Sequence, residues 1–319
     1  MPMIQDTPAA APQLETAKLV LLGLLGVFAL GHAFQLVRRW LQVKKAEAGQ
    51  SGVPGMPGDD SKITPFKLGV GFGTNFFDTL GIGSFATTTS IARFFKMMPD
   101  ERIPGTLNVG HAIPAMTQAF IFTQVVPVEA KTLISMIVAA IAGAWLGAGV
   151  VAGLPRRKVQ IGMGVCLTAA ALLMLTSIFK LTPGGGEALA LTGEKFYIGV
   201  GVNFILGVLM TLGIGLYAPC LIAVSMLGMN PTAAFPIMMG SCAFLMPVAG
   251  MRFVQKGSLA SGTSLALTLG GIPATLIAAY IVKSLPLDAV RWLVVIVVLY
   301  TSFGLLRTAM KGGEAASEV

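Results

Sequence analysis

The chain has 319 residues, of which 55% are hydrophobic and only 11% charged, with a mean hydropathy of +0.80. A soluble domain carries roughly 25% charged residues, so an ordinary water-soluble enzyme or binding module is excluded. The net charge of +8 does not point to nucleic acid, because RR at 38–39, KK at 44–45 and RRK at 156–158 flank apolar runs, where excess positive charge reports orientation across a membrane.

Residues 1–18 carry Asp6 and Glu15 ahead of the apolar run LVLLGLLGVFALG, which leads directly into HAFQLVRRW without a small-residue cleavage site. This order fits a retained transmembrane helix over 19–37 with an extracytoplasmic tail at 1–18, not a signal peptide. Residues 38–65 begin basic and pass into GQSGVPGMPGDDS, a Gly/Pro-rich cytoplasmic linker. A glycine-rich apolar stretch follows at 66–97, FKLGVGFGTNFFDTLGIGSFATTTSIARFFKM, and then apolar elements at about 105–125, 129–153 and 158–179. Beyond the loop KLTPGGGEALALTGEK the pattern resumes at 196–229, FYIGVGVNFILGVLMTLGIGLYAPCLIAVSMLGM, with elements at about 234–252, 259–282 and 288–308. The runs are about 20 residues long, enough to cross a bilayer as helix.

The two glycine-rich stretches share the phrase LGIG at 80–83 and 212–215, and Pro99 with Pro231 and Pro104 with Pro236 stand at the same offset. LPRRKV at 154–159 and LPLDAV at 285–290 extend the match with a shift of one residue. The predicted organisation is a first transmembrane repeat over 66–180, an inter-repeat loop at 181–195, a second repeat over 196–308 and a cytoplasmic tail at 309–319. A single crossing by 66–97 would put the basic linker and RRK at 156–158 on opposite sides of the membrane, against the positive-inside rule. If each glycine-rich stretch enters and returns as two short arms, every strong basic cluster is cytoplasmic and each repeat makes an odd number of passes. Lys283, Arg291 and the charges near 96–102 weigh little either way. The expected fold is an all-α polytopic membrane protein of two inverted repeats with broken or re-entrant glycine-rich helices, plus one additional N-terminal transmembrane helix, an architecture common among secondary transporters. The N-terminus is then outside and the C-terminus cytoplasmic.

Backbone that leaves the helical state inside a bilayer must face protein or a water-filled cavity, which singles out the turns near 81–84 and 213–216. Gly81, Gly83, Gly213 and Gly215 permit close backbone approach and positive φ, and a helix arm starting there offers free N–H groups to an anion. Tight helix packing is the alternative use of such glycines. In the first copy Asn75, Ser84, Thr87, Thr88 and Thr89 supply polar groups able to donate to oxyanion oxygens, or to bond back to their own helix. In the second copy the matching region holds Asn203, Thr211, Tyr217, Pro219 and Cys220. Asp78 is costly in an apolar segment unless paired or protonated, so it is a candidate proton carrier or the cap of a short arm. His111, three residues from Asn108, is a second proton-coupling candidate or an interhelical hydrogen bonder; Gln118 and Gln124 follow on the same element. Arg93 and Arg252 are membrane-edge cations able to steer an anion or to snorkel to the interface, and His32 is expected to be structural.

Cys166, Cys220 and Cys242 show neither zinc spacing nor CxxC. No Walker A, HExxH, GxSxG or CxxCH sequence is present, so neither a metal nor a cofactor is expected and the chain is not read as an enzyme. The segments VGFGTNFFDTLGIGSFATTTSIA and VGVNFILGVLMTLGIGLYAPCLIAV resemble the two signature segments of the sulfite exporter TauE/SafE family, the TSUP permeases, over about residues 66–308. That resemblance implies a two-halved bacterial-type inner-membrane permease moving sulfite or a related small inorganic or organosulfonate anion, with protons as possible co-substrates and membrane lipids as surroundings. The family's glycine-rich run is followed by proline in each half; here Ser84 and Phe85 replace glycines and Thr87 stands where Pro219 stands in the second half, which implies a divergent branch. An uncoupled anion channel or facilitator, or a non-catalytic membrane subunit of a larger complex, are the alternative readings.

Overall fold

The computed structural model describes residues 11–49, 59–181, 185–213, 215–280 and 288–314. Expectations placed on 1–10, 50–58, 182–184, Ile214, Lys283, 285–287 and 315–319 lie outside the described residues. The first helix, α1, runs Ala11–Glu47, well beyond the 19–37 span read from the apolar run. Residues 38–47, RRWLQVKKAE, belong to it and not to a linker, because Arg, Leu, Gln, Lys, Ala and Glu are good helix formers whatever their polarity. Gly49, at φ 70°, stands just past its end.

The stretch 66–97 folds as α2, Pro65–Thr79, and α3, Ser84–Phe94. Thr64 caps α2 by accepting from Lys67 N–H, and Pro65 opens the helix where its missing N–H is not needed. Between the arms Gly81 and Gly83 have φ of 91° and 89°, a region that L-side chains rarely adopt. The turn reverses the chain: the ring of Phe66, at the start of α2, meets that of Phe95, just past α3, with centroids 4.8 Å apart.

The element expected at 105–125 is two helices, α4 over Ile103–Gly110 and α5 over Ala112–Val125, with His111 between them. Pro114 explains the break, since its ring would clash with the carbonyl of Gly110 in a continuous helix. α6, Ala130–Val151, starts on a Glu129 carboxylate that accepts from Thr132 N–H at 2.7 Å, and α7 covers Arg156–Ile178. The second glycine-rich stretch repeats the first design as α8, Gly193–Met210, and α9, Tyr217–Met226. It too doubles back, with Lys195 reaching Gly228 and Leu227 packing at Gly199. α10, Ala234–Gln255, α11, Ser261–Tyr280, and α12, Asp288–Glu314, complete the described chain, the last taking in six residues expected to be tail. Six helices among the described residues are long and apolar enough to cross a membrane, the N-terminal one included.

Packing follows the repeat. α2 lies on α11 as α8 lies on α6, α3 touches α12 as α9 touches α7, and α5–α10 and α7–α12 join equivalent helices of the two halves. Small residues set these approaches, as expected where apolar burial gives no preference between helix and lipid: Gly71 faces the Leu267 backbone and Gly147 the Val208 backbone. α1 stands outside this pattern, against α5, α10 and α11. His32 Nε2 donates to the Val109 carbonyl at 2.9 Å, so its role is structural. Near the other end of α1, Arg39 pairs with buried Asp59 at 2.7 Å, and Asp59 also accepts from Ser261 N–H at 2.7 Å. One end face of the helices therefore gathers the end of α1, the base of the α2–α3 hairpin and the α10–α11 connection. The opposite end gathers 125–130, 185–192 and the base of the α8–α9 hairpin, where Glu129 N–H donates to Leu189 O and Asn230 N–H to Ala188 O.

Candidate functional site

The tips of the two hairpins meet. A Cβ placed on Gly215 would stand 3.9 Å from that of Phe85, and a cavity lined by Gly83, Phe85, Gly215, Tyr217 and Pro219 lies between the tips, closed by Ala170 of α7 and Val298 of α12. Its volume is ≈ 30 Å³, room for about one or two waters. Gly213, at φ 101°, matches Gly81 and Gly83.

Behind this cavity a chain of hydrogen bonds joins the halves. Asp78 Oδ1 accepts from the backbone N–H of Ser84 at 2.5 Å, the first residue of α3. Its Oδ2 accepts from Gln118 Nε2 at 2.8 Å, and the same amide reaches Thr79 Oγ1 at 3.1 Å. Gln118 Oε1 accepts in turn from the Tyr217 hydroxyl at the start of α9. All four side chains are buried. A buried carboxylate is tolerated only when its oxygens are satisfied, and here one oxygen takes the open N–H of a helix whose partial positive charge favours it. Asp78 therefore fills, from within the chain, the anion position that the sequence assigns to the α3 N-terminus.

Three predicted residues, Asn75, His111 and Thr88, form a second chain. Asn75 Nδ2 donates to Gly71 O at 2.7 Å, which leaves its Oδ1 to accept from His111 Nδ1 at 3.0 Å. His111 Nε2 then accepts from the Thr88 hydroxyl at 3.0 Å. With both ring nitrogens engaged and fully buried, His111 acts as the strut that holds α2 and α3 to the α4–α5 break.

The remaining candidates separate. Thr87 bonds back to Gly83 O and Ser84 O, whereas the Thr89 hydroxyl is buried without a partner among the described residues. Asn203 points elsewhere, its Nδ2 donating to Met136 O at 2.7 Å and Ser241 Oγ at 2.9 Å, which ties α8 to α6 and α10. Cys220 is buried in α9. Among the described residues no side chain caps α9, so the two tips differ: α3 begins on a carboxylate and α9 begins bare. Arg252 stacks over the Trp145 ring at 4.4 Å, and Arg93 lies 3.4 Å from Asp100, both away from the cavity.

Residue types alone point to no role for Gln118, although it bridges the halves. Its position offers a signal: it lies seven residues past His111, two turns along the same face. The walls from α7 and α12 carry no polar residue that would have marked them. Replacing Tyr217 by Phe leaves Gln118 Oε1 buried without its donor, a loss of about 1–2 kcal/mol. A thermal melt in detergent is expected to shift down while the chain still assembles; an unchanged melt would show that the bridge carries no stability.

The family model described as sulfite exporter TauE/SafE matches residues 9–174, just over half of the chain, from α1 almost to the end of α7. It thus includes α1, which the sequence reading set outside the resemblance. No curated protein and no solved structure matches the chain. Together with the six helices of spanning length, the family match makes this a multi-pass membrane protein.

Proposed function

We propose, because the chain belongs to the TauE/SafE sulfite exporter family, that it is a secondary transporter moving sulfite or a related small sulfur-containing anion across the plasma membrane, coupled to protons through Asp78. The observation that carries this reading is the junction of the two hairpin tips at one small cavity, with Asp78 seated on the N-terminus of α3. Sulfite has four non-hydrogen atoms, and the cavity of ≈ 30 Å³ is too small for it. In this reading the tips must part on one side or the other to admit a substrate.

In this reading the ionised Asp78 and the substrate anion compete for the same partial positive charge. Protonation weakens the hold of Asp78 on Ser84 N–H, because a charge-assisted hydrogen bond is roughly twice as strong as a neutral one. The freed α3 terminus and the bare α9 terminus then face a single anion from two sides, with Tyr217 and Gln118 passing the change between halves. Thr88, Asn75 and His111 hold the first tip rigid, and Asn203 does the same for α8.

The hairpins support an inverted arrangement of the halves: each returns to the face it entered from, so in this reading α8 starts on the face opposite to α2. The face bearing Arg38, Arg39, Lys44, Lys45, Arg156, Arg157, Lys158 and Lys256 is assigned to the cytoplasm by the positive-inside rule. Lys131 and Lys195, on the other face, are close in sequence to Glu129 and Glu194. The N-terminus is then outside and the C-terminus inside.

Uptake of labelled sulfite into proteoliposomes, measured with and without an imposed pH gradient, tests the function. Saturable flux that the gradient accelerates is expected. Flux of the same size in both conditions would make the protein an uncoupled facilitator, and no flux with any sulfur oxyanion would remove the substrate assignment.

A further inference from the structure

A second cavity lies far from the hairpin tips. On the face that holds the base of the α2–α3 hairpin, a wide groove of ≈ 900 Å³ opens between the end of α3, the start of α7 and residues 300–308 of α12. Four cations line it: Arg93, Lys96, Arg156 and Arg307. The two acids on its walls are already engaged. Asp100 lies 3.4 Å from Arg93 and 3.9 Å from Arg156 and accepts from Gln160 Nε2 at 2.8 Å, while Asp60 pairs with Lys67 at 3.1 Å. Lys96 and Arg307 make no hydrogen bond or ion pair among the described residues. The groove thus has cationic donors to spare and no unengaged acid, which is the chemistry of a site for a phosphate-type anion.

Its walls indicate where that phosphate comes from. Phe94 and Tyr300 line the same groove and are 71% and 70% exposed. Phe95, next in sequence to Phe94, and Phe303, one turn past Tyr300, are also largely exposed, at 56% and 64%. Phe94 and Phe95 stand at the end of α3, and in a membrane-spanning chain aromatic residues exposed near helix ends sit at the level where headgroups give way to acyl chains, while Tyr300 and Phe303 lie deeper, in the middle of α12. Arg93 in the last turn of α3 and Arg156 as the first residue of α7 fix the groove at that level. A free anion would use the cations and leave the aromatic walls unused. An amphipathic anion uses both.

We infer that this groove binds the headgroup of an anionic phospholipid, its phosphate held between Lys96, Arg307 and the arginines of α3 and α7, and its tails lying against Phe94 and Tyr300. A basic pocket between transmembrane helices is a recurring way to recognise such lipids. Because α3 carries one tip of the transport cavity and α12 one of its walls, a lipid seated here touches two elements that must separate for the cavity to open.

The purified full chain in detergent, titrated with phosphatidylglycerol or phosphatidylcholine and read by native mass spectrometry, tests the assignment without reference to transport. Phosphatidylglycerol is expected to bind and phosphatidylcholine to bind far more weakly. Each removed cation is worth about fivefold near an anionic lipid. Arg307→Gln is therefore expected to weaken phosphatidylglycerol by about fivefold and the Lys96→Gln/Arg307→Gln pair by roughly twenty-five-fold, with the single variant serving if the pair assembles poorly. Equal binding of the two lipids, or unchanged phosphatidylglycerol binding in Arg307→Gln, overturns the inference. So does displacement of phosphatidylglycerol by inorganic phosphate, which would assign the groove to free anions.

Discussion

The Asp78→Asn protein is expected to move sulfite at one rate whether or not a pH gradient is imposed, while Asp78→Ala is expected to lose both transport and much of its stability. The two substitutions separate charge from capping. Asparagine keeps an oxygen for the Ser84 N–H, and asparagine is as good a helix cap as aspartate. Its amide nitrogen then faces Gln118, which restores the pairing by turning its own amide over, with the Tyr217 oxygen as acceptor. The chain folds, but the group that gained and lost a proton is gone. Alanine leaves the Ser84 N–H and the Gln118 amide buried with no acceptor from residue 78, and each such donor costs about 1–3 kcal/mol, so a loss of about 2–6 kcal/mol is expected. Thermal melts of both variants and gradient-driven flux of the asparagine protein are the measurements. If Asp78→Asn responds to the gradient as the parent does, Asp78 is a cap alone and the coupling proton travels elsewhere.

The second large effect lies in the helix contacts that the glycines permit. A Cβ on Gly270 would stand 2.2 Å from the Leu68 carbonyl oxygen, and one on Gly143 would stand 2.0 Å from that of Phe204. In both cases the obstacle is backbone, which no rotamer change relieves, so Gly270→Ala and Gly143→Ala are expected to exceed the usual overpacking cost of about 1–3 kcal/mol. Gly73, on the same α2, has open space on its free side. Gly73→Ala is expected to be neutral or to gain up to about 1 kcal/mol from helix propensity. Size-exclusion profiles and melts of the three proteins give the comparison. A Gly270→Ala protein as stable as Gly73→Ala would mean that α2 and α11 are further apart than described.

Much of this architecture was legible in the residues. The doubled LGIG phrase with its flanking glycines marked two helix breaks, and the chain does leave the helical state at both. The basic clusters also implied that the first stretch folds back, and Phe66 against Phe95 meets that expectation. Element boundaries were less legible where polarity and helicity part company. Residues 38–47 are charged, and charge says where water is, not where a helix stops. The split at His111 was written in Pro114, but an apolar run with a proline near its start also fits one helix beginning later.

The candidate site was legible in its frame and not in its wiring. Gly81, Gly83 and Gly213 adopt the positive φ that their spacing foretold. That Asp78 would reach six residues forward to Ser84 depends on the tightness of the turn, which no pattern of residue types specifies. Asn203 looked equivalent to the polar residues of the first tip, but the second half uses it against Met136 and Ser241, because α8 rests on α6 at that level. Gln118 connects Asp78 and Tyr217, 139 residues apart in the chain, a relation visible only once both hairpins are folded.

The cross-wise packing of the hairpins has a consequence for how such a molecule comes into being. Because α2 rests on α11 and α8 on α6, the first arm of each half has its principal seat in the other. Neither half is a self-sufficient unit. During synthesis the first hairpin emerges with its seat still to be made, and it waits in the membrane until α11 arrives late in translation. The order of assembly is thereby tied to the completion of the chain, and the two tips can face each other only in a molecule that has been finished.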